Sequence, residues 1–159
     1  MDGFVSNYTM RLDSKGRVSI PAPFRAVLAR EGFNGLYCYP MPDRPALEAG
    51  GKAFLAEIEA MIAHFPPYSQ ERECFATALY GTGEMLRIDP EGRVALTEPF
   101  KSHAEIADAV VFVGLGIKFQ IWEPKRFQLE LAEATAKVRA IKQQLEADVA
   151  APKPQGAEE

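Results

Sequence analysis

Two cysteines and two histidines are all that the 159 residues carry of the side chains most used in metal and redox chemistry. Cys38 and Cys74 stand far apart, with no CxxC and no neighbouring histidine, which favours reduced, packed thiols over a disulfide framework or a zinc site. His64 lies beside Phe65 and ahead of Pro66-Pro67, where a helix ends, and His103 lies in the polar stretch KSHAEI. GxSxG, HExxH, a P-loop and a strand-to-helix GxGxxG are all missing. Gly81-Thr82-Gly83 and Gly114-Leu115-Gly116 lack the context for phosphate binding, and the second reads as a turn inside a strand pair. The chain is therefore not read as an enzyme, and no catalytic residue, metal or cofactor is expected. No apolar run approaches the roughly 20 residues of a spanning helix. The opening MDGFVSNYTMRLD has neither the basic start nor the apolar stretch of a secretory signal, so cytoplasmic residence without a membrane partner is expected.

A surplus of positive charge is missing as well: 18 basic residues face 22 acidic ones, for a net charge of −4. That balance argues against a protein whose whole surface grips nucleic acid. Phosphate attraction is local, however, and screened beyond about 8 to 10 Å, so distribution matters more than the total. Residues 1–30 hold Arg11, Lys15, Arg17, Arg25 and Arg30 against Asp2 and Asp13 alone, a basic island in an acidic chain. With 47% hydrophobic and 25% charged residues the composition is that of an ordinary globular protein of one domain or two small ones.

What the chain does have is an internal repeat. RLDSKGRVSIPAPFR at residues 11–25 returns as RIDPEGRVALTEPFK at residues 87–101, with seven of fifteen positions identical. Residues 8–13 and 17–20 alternate as strands, and Asp13-Ser14-Lys15-Gly16 between them fits a type I turn with glycine in the left-handed region. Asp89-Pro90-Glu91-Gly92 fits it again, with Pro90 presetting φ. Each predicted hairpin leads into a proline-started helix, with Phe24, Val27 and Leu28 on one face of the first and Thr97 as N-cap of the second. Strands at residues 36–39 and 118–122 are read as counterparts, followed by the exits YPMPDR and WEPKRF, each turning into a helix. Phe54, Leu55, Ile58, Met61, Ile62 and Phe65 line one side of the next helix, and another starts at Ser69. A last helix over residues 124–149 spaces Phe127, Leu131, Ala134, Val138, Ile141 and Leu145 as one apolar stripe. Each repeat unit of about 45 residues is too small to bury a core alone, so the two are expected to pair as an internal pseudo-dimer with interleaved hairpins.

The duplicated Asp-x-x-x-Arg, with Gly before each Arg and a Pro-Phe helix start six residues later, resembles the swapped-hairpin β-barrel domains of the AbrB/SpoVT type. The tandem arrangement, DSKGR near the amino terminus and DPEGR near residue 90, is similar to the MraZ family of bacterial transcriptional regulators. The resemblance covers residues 7–145 and implies an α+β fold of two tandem swapped-hairpin β-barrel units with flanking helices. The expected division is a first unit at 7–54, a helical connector at 55–82, a second unit at 83–126, a carboxy-terminal helix at 127–149 and a disordered tail at 150–159. It also implies a ring-shaped homo-oligomer that binds double-stranded promoter DNA, associates with the nucleoid and regulates the division and cell-wall gene cluster. DxxxR lies on the DNA-contacting surface in that family, which carries over to Asp13 and Arg17, and to Asp89 and Arg93.

Within that picture Asp13 holds Arg17 in a fixed pose for a base edge, while Arg11 and Lys15 meet phosphate and Gly16 makes the turn. An oriented guanidinium can bond two acceptors of a guanine, discriminating by roughly 1 to 3 kcal/mol. The competing reading is an ion pair that merely stiffens a hairpin. It weighs more for Arg93, because Glu91 replaces Lys15 at the second tip and residues 84–101 hold three basic against four acidic side chains. One hairpin is too weak a binder by itself; a ring repeats it and calls for an operator of direct repeats near one helical turn apart. Two other classes stay open: an antitoxin-like DNA-binding module that neutralises a protein partner, and a structural oligomer without DNA.

Overall fold

Both predicted turns close where the Asp-x-x-Gly spacing requires. In the computed structural model, which describes residues 2–151, the Gly16 amide donates to the Asp13 carbonyl at 3.0 Å and the Gly92 amide to the Asp89 carbonyl at 2.9 Å. Both glycines have positive φ, 76° and 80°, a region costly for residues with a β-carbon. The turns join β1 (Asn7–Arg11) to β2 (Arg17–Ser19), and β5 (Glu84–Arg87) to β6 (Arg93–Ala95).

The helices that follow are short and locally specified. α1 (Ala22–Arg30) has proline in its first turn and buries Phe24, Val27 and Leu28. α4 (Glu98–Ala104) is capped by the Thr97 hydroxyl, which accepts from the Phe100 amide, and buries Phe100 and Ala104. The remaining elements are β3 (Gly35–Pro40), β4 (Leu47–Gly50), α2 (Lys52–Ala63), α3 (Gln70–Ala76), a π-helical turn at Thr77–Gly81, β7 (Ala109–Gly114) and β8 (Phe119–Trp122). α5 (Pro124–Ala150) is the fifth α-helix among the described residues.

Strands of the two repeats pair with each other. β1 runs antiparallel to β7, β3 to β5, and the short β2 to β6, with Val18 opposite Val94. The six-stranded sheet has the order β1-β7-β8-β4-β3-β5 and is antiparallel throughout, and β2-β6 forms a separate two-stranded ribbon. Among the described residues no closed barrel is seen: β1 and β5 remain edges, and the isolated bridge Leu12–Val18 ties the ribbon to the first side. β2 and β6 are three residues each and run at once into Pro21 and Thr97, where helices begin, so they are too short to ladder fully on both sides. Both repeats lie in one compact unit, Met1–Pro124; a second begins at Lys125.

The core also crosses between repeats. Phe24 of α1 meets Phe119 of β8 at 5.1 Å and Phe112 of β7 at 6.3 Å between ring centres, and Phe4 closes the cluster at 5.2 Å from Phe24 and 4.8 Å from Phe119. Aromatic side chains bury large areas, each stabilising by about 1.5 to 3 kcal/mol, so the cluster is a principal tie between the halves. On the opposite sheet face Tyr37 and Tyr39 pack with Phe54, Ile58 and Ile62 of α2 and with Leu79 of the π-turn. Leu36 and Cys38, alternating with those tyrosines, face the first cluster.

Three local expectations are corrected. The repeat offset makes β7, not residues 118–122, the counterpart of β3. The exit YPMPDR leads into β4 before any helix, because Leu47 and Ala49 face the main core while Glu48 is buried on the other face. Cys38 is buried as expected, but Cys74 is exposed on α3, a helix that buries no residue. The expected disordered tail lies, from residue 152 on, outside the described residues. In α5 Leu131, Val138, Ile141 and Leu145 are exposed.

Candidate nucleic-acid interface

Each hairpin aspartate is a hub for its own turn. One oxygen of Asp13, Oδ1, accepts from the Lys15 and Arg17 amides, both at 2.9 Å, and the other, Oδ2, accepts from Arg17 Nε at 2.7 Å. Asp89 repeats the pattern with the Glu91 and Arg93 amides at 2.9 Å and Arg93 Nε at 3.0 Å. The Arg17 amide is the main reason that the Asp13 carboxyl is held below its ordinary 3.8, burial opposing and the Arg17 side chain adding to it. Asp89 is lowered in the same way, first by the Arg93 amide. Both aspartates therefore stay ionised at neutral pH and fix the bearing of their arginines.

The two arginines differ in what is left over. Arg17 engages Asp13 through Nε alone; among the described residues no hydrogen bond or ion pair takes up its two terminal amino groups. Arg93 has an acid on every nitrogen: Asp89 on Nε, Glu91 on Nη2, and Asp13 across the ribbon at 3.8 Å from Nη1. Burial works against the Arg93 charge, but these carboxylates, Asp89 foremost, raise its affinity for the proton. An acceptor such as a guanine edge or a phosphate could thus bond the free fork of Arg17, whereas at Arg93 it would have to displace carboxylates.

Of the other expected contacts, Lys15 is exposed at the first tip and Arg11 is exposed at the end of β1, opposite Ala109. Gly16 is buried beneath the tip. The structure thus brings Asp13, Gly16, Arg17, Asp89 and Arg93 together on one ribbon, with Lys15 at its rim.

Two residues of this surface escape a reading by sequence. A β-carbon on Gly16 would stand 3.2 Å from Nζ of Lys101, which comes from the second repeat's helix, and one on Gly92 would collide with the guanidinium of Arg25, from the first repeat's helix. The repeat alignment pairs Arg25 with Lys101, but each faces the other repeat's turn. Only strand exchange between the repeats reveals this.

The histidines and the second glycine pair lie at helix ends and turns. His64 is the C-cap residue of α2, and His103 Nε2 lies 2.9 Å from the Arg44 carbonyl. Gly114 to Gly116 turn β7 into β8, Gly116 with φ of 88°. Among the described residues no group of three His, Cys, Asp or Glu side chains could hold a metal ion, and no helix is long and apolar enough to cross a membrane.

Comparison with known proteins gives the family. Residues 79–147 match the family model described as "MraZ protein, putative antitoxin-like". The chain is 66% identical over 145 residues to the transcriptional regulator MraZ of Azorhizobium caulinodans, covering 91% of this chain and 92% of that protein. It is 63% identical over 143 residues to the protein of the same name from Xanthobacter autotrophicus, covering 90% and 91%. The Beijerinckia indica protein of that name matches at 54% over the full length of both chains.

Proposed function

The chain belongs to the MraZ family of transcriptional regulators, and from that premise we propose that it binds double-stranded promoter DNA sequence-specifically, through the first hairpin. The observation that carries this reading is the contrast at the ribbon. Arg17 is oriented by an ionised aspartate with its fork free, while Arg93 is enclosed by three acids. Arg17 is the base reader, Lys15 and Arg11 contact phosphate, Asp13 positions Arg17, and Gly16 permits the turn. Asp89 and Arg93 brace the second hairpin. The exchange of strands supports treating residues 7–54 and 83–126 as swapped-hairpin units, with 55–82 as their helical connector and the carboxy-terminal helix outside them.

A closed homo-oligomeric ring presents many copies of this weak site on one side, which converts later contacts into intramolecular ones and reconciles DNA binding with a net charge of −4. The operator is then a set of direct repeats about one helical turn apart, upstream of the division and cell-wall gene cluster, and the protein acts in the cytoplasm at the nucleoid. Its role is regulation rather than catalysis. Footprinting on the DNA upstream of its own gene, with gel shifts of Arg17→Ala, tests the reading. The variant is expected to fold and assemble but to lose specific retardation; unchanged affinity overturns the assignment.

A second reading is favoured by the exposed apolar positions Leu131, Val138, Ile141 and Leu145 of α5: an antitoxin-like module whose last helix holds a protein partner. Tight co-purification with a small toxin, lost on Ile141→Glu, would support it.

A further inference from the structure

We propose that Lys101, carried by the second repeat, contacts phosphate at the tip of the first hairpin, so that the DNA surface is assembled from both repeats of one chain. This rests on the first hairpin's facing DNA.

Three observations place Lys101 there. Its Nζ lies against Gly16, between Lys15 and Arg17 in the chain, at 3.2 Å from where a β-carbon would be. The backbone leading to it is tied to the same turn, because the Leu96 amide donates to the Gly16 carbonyl at 3.1 Å. Phe100, 1% exposed, and the Thr97 cap then fix the start of α4, so the root of the Lys101 side chain is held by the fold.

The ammonium, by contrast, is loosely held. The Lys101 side chain is 23% exposed, and its partner among the described residues is Glu98, one helical turn away at 2.8 Å, whose side chain is 87% exposed. With the carboxylate standing in solvent, the pair is held weakly and the lysine changes partner at little cost. A DNA phosphate arriving at the tip would take Lys101 from Glu98, and the lysine's flexible stem and three donors suit that trade. The corresponding cation at the second turn cannot follow, since Arg25 donates from Nη1 to the Ile20 carbonyl at 2.9 Å and lies beneath Gly92. The second tip also presents Glu91. The two turns therefore have a cation behind each, but only the first can offer it outward.

The test uses the full chain and a duplex of direct repeats, with binding followed by fluorescence anisotropy across a potassium chloride series. Lys101→Gln is expected to weaken binding about five- to ten-fold near 0.1 M salt and to make the plot of log affinity against log salt shallower by about 0.9 for each phosphate no longer neutralised. Lys101→Arg is expected to retain binding, which separates the effect of charge from an effect on folding. Glu98→Gln is expected to tighten binding several-fold in the parent chain and to have no effect beside Lys101→Gln. Parental affinity and slope in Lys101→Gln, with binding still abolished in Arg17→Ala, overturns the role of Lys101 and leaves the hairpin reading standing. Equal weakening in Lys101→Gln and Lys101→Arg also overturns it. Parental binding in both Arg17→Ala and Lys101→Gln removes the hairpin reading, and this inference with it.

Discussion

The two hairpins share a backbone and a bracing aspartate, yet one leaves an arginine available and the other encloses it. Asp13 and Asp89 accept the same set of bonds, two amides and one Nε. What separates them is the tip, Lys15 in one and Glu91 in the other, and the reach of Asp13 across the ribbon to Arg93. A duplicated motif can thus keep its scaffold in both copies while one substitution at an exposed position encloses the arginine that the other copy leaves free.

The largest expected effect concerns the scaffold. Gly92→Ala puts a β-carbon at φ of 80° and against the Arg25 guanidinium, which must leave the Ile20 carbonyl. Left-handed strain of about 1 to 2 kcal/mol and the broken hydrogen bond, about 1 kcal/mol, give a destabilisation of roughly 2 to 3 kcal/mol in urea unfolding. Gly16→Ala is expected to lose about 1 to 2 kcal/mol, because the far end of Lys101 can swing aside. Equal destabilisation by the two variants would mean that Arg25 does not brace the second turn.

Next in size is an attempt to convert one hairpin into the other. Glu91→Lys removes the acid from Nη2 of Arg93 and gives the second tip the cation of the first. DNA affinity at low salt is expected to rise several-fold, with a steeper salt dependence, as an added phosphate contact requires. Unchanged binding would place the second tip away from the duplex even though Asp13 couples the two hairpins.

These outcomes depend on features that are legible in the chain to different degrees. The turns, the α1 and α4 starts and α5 follow from local chemistry: Asp-x-x-Gly, a proline or threonine at a helix entrance, and apolar spacing. Interleaving follows from two units too small to stand alone. β4 is hidden because one of its inner residues is a glutamate, and nothing local announces that Glu48 will be enclosed. It accepts from Tyr39 Oη, from Gln120 Nε2 at 2.9 Å and from Lys118 Nζ at 3.0 Å, donors that come from β3, from β8 and from the turn before β8. Burial pushes its carboxyl up, and those three donors more than offset the push. Lys101 is hidden for a related reason. Its meaning lies in a contact 85 residues away in the chain, with Gly16, and local pattern is blind to such contacts.

The smallest effect expected is a pH dependence that separates the two aspartates. Both have folded-state values below their ordinary 3.8, so the stability they contribute is fully present above that value and is lost as pH falls through the lower folded value. The urea midpoint should therefore be flat on account of these groups above about pH 5 and should decline below about pH 4. Glu48, also held below its ordinary 4.5, contributes to the same decline, and Asp13→Asn and Asp89→Asn each remove a part. Asp13 serves Arg17 at 2.7 Å and Arg93 at 3.8 Å, whereas Asp89 serves Arg93 alone. Asp13→Asn is accordingly expected to flatten the acid limb at least as much as Asp89→Asn, and the double variant less than the sum of the two, because both act on Arg93. Additive changes would show that the hairpins are braced independently, and that the freedom of Arg17 owes nothing to its neighbour across the ribbon.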